Sequence, residues 1–147
     1  MRDVLQSVMT EEHSATEQLA SLLELERKAL ASSGQTPLLQ AVIDRKSETL
    51  KNLAALELRR DEALRALGYP AGRAGLERIA RQDRRVGDTW ARLKACIERV
   101  RRASELNAAL VTIRMDSNNR AFESLQPTPP RADFYGPDGR VTAFASA

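Results

Sequence analysis

The chain has 147 residues, a formal net charge of +3 and 42% apolar but only 4% aromatic residues, so a core must come from Leu, Ala, Ile and Val rather than from rings. Its single cysteine, Cys96, and single histidine, His13, exclude an intrachain disulfide and a multi-cysteine zinc site and leave little for a His-based triad. No apolar run nears the roughly 18 residues of a membrane span, and the opening MRDVLQSVMTEEH turns acidic where a signal peptide would be apolar, which points to a reducing, cytoplasmic location.

Glycine and proline divide the chain. The first segment runs to about Ala31 and stops at Ser32-Ser33-Gly34. Its apolar positions, Leu5, Val8, Met9, Ala15, Leu19, Leu22, Leu23 and Leu30, recur at three and four and form one stripe on a helix. The second segment opens at Thr36-Pro37, a capping hydroxyl before a proline in the first helical position. Its stripe is Leu39, Val42, Ile43, Leu50, Leu53, Leu56, Leu64 and Leu67, and Gly68-Tyr69-Pro70 closes it. Residues 71–82 leave room for a short helical turn, about Gly75 to Arg81. The third long segment, about Asp83 to Leu125, carries Val86, Trp90, Leu93, Ile97, Val100, Leu106, Leu110, Ile113, Phe122 and Leu125. Alternation of period two is missing, so the expected fold is all-α, an antiparallel bundle of three long helices over residues 1–125. Trp90 belongs to its core. Residues 126–147 hold four prolines and two glycines and read as a flexible tail, yet they contain Phe134, Tyr135 and Phe144, half of the aromatics.

Charge is uneven. Residues 1–31 carry a net −3, whereas 73–102 have ten basic and four acidic residues, a net +6. Basic helices invite a nucleic-acid reading, but aromatics for base stacking are not interleaved with these arginines and the helices are too long for a helix-turn-helix. A solvated face opposite the acidic first segment explains them more simply. Chemistry is equally sparse. Glu11, Glu12, Asp61 and Glu62 fall on polar sides, Cys96 sits in the middle of a helix, and phosphate, dinucleotide and metal-site motifs are lacking. The expectation is a cofactor-free protein that is not an enzyme.

Length adds one inference. At about 1.5 Å per residue the first two helices span roughly 45–48 Å and the third roughly 64 Å. In an up-down-up course, residues from about Arg114 to Leu125 should project past the 32–36 connection with Phe122 and Leu125 on an apolar side; this marks a partner surface unless the helix bends back or a second copy of the chain covers it. Asn107 and Asn118 lie at or beside this seam, where an amide can set register or choose a partner.

Several of these features resemble one family. Trp90 early in the last helix, Leu106-Asn107-Ala108-Ala109-Leu110, Ala121 to Leu125, and Phe134-Tyr135-Gly136-Pro137-Asp138-Gly139 after a proline break are similar to the FlgN flagellar export chaperones. Ser104 and Ala108 depart from the Asn and Gly frequent in that pattern. The resemblance implies binding of the C-terminal segments of the hook–filament junction proteins FlgK and FlgL and delivery to the type III export gate protein FlhA. On that basis Asn107, Leu110, Ile113, Asn118, Phe122 and Leu125 are expected to bind the client, and Phe134, Tyr135 and Gly136 to dock on the gate. The competing expectation is a structural coiled-coil adaptor or a self-assembling helical bundle with no export role.

Overall fold

The computed structural model describes residues 1–32 and 37–125. They form four helices: α1 (Arg2–Ala31), α2 (Pro37–Ala66), α3 (Arg73–Gln82) and α4 (Arg84–Leu125). No strand occurs among the described residues. The expected cap at Thr36 and the tail from residue 126 lie outside them.

Local chemistry sets the boundaries. At the end of α2, the Tyr69 amide donates to the Leu64 carbonyl at 2.9 Å and the Gly68 amide to that of Arg65 at 2.9 Å. That paired pattern needs a left-handed residue, supplied by Gly68 at φ +84°. The 71–82 region is more than a turn: α3 has ten residues, and its buried Gly75, Leu76 and Ile79 make it a structural part of the core. Gly75 is required by space, since a Cβ there would lie 1.7 Å from the Pro70 carbonyl oxygen. Asp83 joins α3 to α4. Its amide donates to the Ile79 carbonyl, and its carboxylate accepts from the Arg85 and Val86 amides at 3.0 and 3.2 Å, an N-cap on two orphan donors.

Ion pairs and hydrogen bonds fix the directions. Glu11–Arg59, Glu12–Arg60 and Glu26–Lys46 make α1 and α2 antiparallel. Arg2–Asp83, Gln6–Thr89 and Asn107 bonded to the Leu23 carbonyl make α1 and α4 parallel. Successive long helices therefore alternate in direction. α1 is the shared element: α2 and α4 both pack on it, and α3 packs on α4.

The main core collects Leu5 and Met9 of α1, Ala63 and Leu64 of α2, Leu76 and Ile79 of α3, and Val86, Trp90 and Leu93 of α4. It sits where α1 begins and α2 ends. Trp90 is 5% exposed, and Arg73 and Lys94 lie over its ring at 5.9 and 5.4 Å. Glu77 holds both cations, at 3.7 and 3.3 Å. The indole N–H makes no hydrogen bond of good geometry, but it stands close enough to Glu77 to be the main cause holding that carboxyl below its usual range, with Lys94 and Arg73 adding to it. A smaller cluster of Val8, Ala15 and Leu56 continues along the α1–α2 seam.

The α4 stripe breaks midway. Ile97, Leu106 and Ile113 are exposed rather than buried. The step from Val100 to Leu106 is six residues, about 240° around a helix, so Leu106 and Ile113 point away from the face that carries Val86, Trp90 and Leu93.

Candidate functional site

The α1–α4 pairing joins residues 81 to 84 apart. With α1 ending at Ala31, this register carries the last ten or so residues of α4 about 15 Å beyond it. The helix is unaccompanied there by α1. Leu125 is 82% exposed, Ile113 63% and Phe122 44%. Val111, Asn118, Phe122 and Leu125 recur at intervals of seven, four and three and prolong the face that farther back packs on α1. Ile113 belongs to the opposite face, and Leu110 is half-buried.

Asn107 is different. Its side chain is buried, and its amide donates to the Leu23 carbonyl at 2.9 Å and to Glu26 Oε1 at 2.8 Å. The other Glu26 oxygen accepts from Lys46 of α2 at 2.7 Å. One buried carboxylate thus ties all three long helices together, and Asn107 sets register inside the chain rather than on an open surface.

Just beyond this link, a groove of about 270 Å³ opens between the ends of the helices. Leu30 of α1, Leu39 and Ile43 of α2, and Val111, Met115 and Asn118 of α4 line it, with Glu26 and Arg114 as its charged members. The sequence pattern places Leu39 and Ile43 on one undivided α2 stripe. The width of that stripe was the available signal, because Val42 is buried whereas neighbouring Ile43 stays exposed. Nothing in the spacing brought Arg114 forward. Phe134, Tyr135 and Gly136 lie outside the described residues.

The opposite end is polar at its surface. Arg81, Arg84, Arg92 and Arg99 are exposed and have no carboxylate partner among the described residues. Arg85 reaches Asp3 at 3.4 Å, and Glu98 takes Arg101 and Arg102, which pull its carboxyl down to about 2. Only Arg85 of this basic series meets the acidic α1; Glu11 and Glu12 turn to α2 instead.

Two further groups are buried. Glu12, expected on a polar side, is 3% exposed and bonded to Arg60 at 2.7 Å. Arg60 in turn meets Asp61, which accepts from the Gly72 amide at 3.0 Å. Burial raises the Glu12 carboxyl to about 7 against the opposing pull of Arg60. Cys96 is buried, and burial pushes its thiol up, away from nucleophilic character. Among the described residues, no group of three His, Cys, Asp or Glu side chains is arranged to hold a metal ion, and no helix is long and apolar enough to cross a membrane.

These elements define an all-helical bundle, packed firmly at one end, with an apolar helix extension and groove at the other. The model of the FlgN protein family matches residues 1–143, and the chain belongs to that family. No curated protein and no solved structure matches it.

Proposed function

We propose that this FlgN-family chain is a cytoplasmic flagellar export chaperone that binds the C-terminal segments of FlgK and FlgL through the far end of α4. The observation that carries the reading is the exposed apolar series Val111, Phe122 and Leu125 on one face of a helix that outruns its partner. An amphipathic client segment can cover such a surface by helix-in-groove packing. Leu110 and Asn118 flank the contact. Asn107 contributes indirectly, by fixing where α4 leaves α1. A client segment that orders on binding gives up part of its interaction energy, which keeps the complex reversible and suits a carrier that must release its load.

Delivery to FlhA is assigned to Phe134, Tyr135 and Gly136. A tyrosine offers large contact area and a hydroxyl at small entropic cost. Binding of purified FlgK and FlgL C-terminal segments tests the first half of the proposal; an absence of binding to both overturns it. Tyr135→Ala tests the second half. Client affinity and thermal stability should be unchanged while export of the junction proteins falls; normal export would remove Tyr135 from the docking role.

A further inference from the structure

The groove at the end of the bundle has apolar walls and one uncommitted charge. Both oxygens of Glu26 are taken, by Asn107 and Lys46. Arg114, which shares the groove with Glu26, makes no ion pair with any described residue. Its Nη1 is shut off from water without an acceptor in reach. A buried donor left unpaired is costly, so an oxygen brought to it is rewarded. A carboxylate is the best match, because it neutralises the guanidinium and can meet its planar fork at two points.

The groove is also continuous with the surface assigned to the client. Val111 and Asn118 belong to both, and the same α4 face leads on to Phe122 and Leu125. A segment lying along that face therefore passes over Arg114 before it reaches the end of the helix.

We propose that the groove is a specificity pocket of the client site, in which an apolar client side chain sits among Leu30, Ile43 and Met115 while an adjacent Asp or Glu of the client binds Arg114. The proposal rests on the client-binding reading and narrows it: clients must carry an acid beside an apolar anchor. Arg114 then selects among apolar helices that the rest of the surface would accept alike.

The experiment titrates the full chain with the FlgK C-terminal segment by fluorescence anisotropy. It compares wild type, Arg114→Leu, Arg114→Lys, Phe122→Ala and a version ending at Leu125, with melting temperatures recorded for each. Arg114→Leu should weaken binding about tenfold or more, and Arg114→Lys should restore part of the loss. Replacing the client's acids by their amides should weaken wild type to a similar degree and leave Arg114→Leu unaffected, which is the signature of a direct pair. If Phe122→Ala weakens binding but neither Arg114 variant does, the pocket is overturned and the client reading stands. If wild type does not bind at all, both fall. Two other occupants are separable. Tighter binding after removal of residues 126–147, with loss of the Arg114 effect, would assign the groove to the chain's own Asp133-Phe134 and overturn the proposal. A dimer in sedimentation that Arg114→Leu dissociates would assign it to a second copy, with the same consequence.

Discussion

The two ends of α4 are built from similar residues but have opposite fates. Near its start, Val86, Trp90 and Leu93 meet α1, α2 and α3 and are buried. Near its finish, Phe122 and Leu125 continue the same face, but α1 has stopped at Ala31 and they stay exposed. The difference lies in the length of the partner helix, not in composition. A 42-residue helix beside one of 30 residues divides itself into a packed end and an exposed end. Mutations should therefore separate cleanly into those that unfold and those that unbind.

The largest effect belongs to the packed end. Trp90→Ala removes a ring held on three sides by the core and by Arg73 and Lys94, and large-to-small changes of this kind cost about 3–5 kcal/mol. Its melting temperature should fall sharply, with loss of binding only as a consequence of unfolding. A normally stable variant that binds poorly would erase the division between the two ends.

The boundary between the ends is next. Asn107→Ala leaves the Leu23 carbonyl and one Glu26 oxygen without their shared donor, a cost of about 1–3 kcal/mol. Asn107→Asp should be worse, since it sets a second carboxylate against Glu26. If thermal unfolding of both variants matches wild type, the three-helix link at Glu26 is not structural.

A smaller, pH-dependent effect comes from Glu12. Burial raises its carboxyl to about 7 from an ordinary 4.5, so the folded chain keeps a proton that the unfolded chain has lost between those values. This group's contribution is thus most favourable below about 4.5 and is lost as pH rises through about 7. The total is at most about 3 kcal/mol by the size of the shift, and less where solvent screens the pair. Glu12→Gln should flatten the stability profile between pH 5 and 8; an unchanged slope would contradict the burial argument.

The sequence carried the helices well because Pro37, Gly68, Pro70 and Asp83 are strong local signals, and tertiary packing had little to override. The full length of α3 is weakly encoded, because ten residues give barely two repeats of a helical stripe and Leu76 with Ile79 is a weak pattern. The site was only half legible. Exposure of Phe122 and Leu125 followed from comparing helix lengths. Asn107 looked the same as Asn118 in one dimension, yet one is buried against Leu23 and Glu26 and the other lines the groove. The groove itself depends on three helix ends meeting, and no spacing within a single segment encodes that. Glu12 likewise carries no sign of burial within its own segment, because the Arg60 that bonds it lies 48 residues away.

The central claim is that the part of α4 beyond the end of α1 recognises the client without supporting the fold. Phe122→Ala addresses it directly, through affinity for the FlgK C-terminal segment and melting temperature measured on the same preparation. Loss of a Phe-sized contact worth roughly 1.5–3 kcal/mol should weaken binding about tenfold to a hundredfold while the melting temperature stays at the wild-type value. Unchanged affinity with an intact fold, or a large drop in melting temperature, would contradict the account.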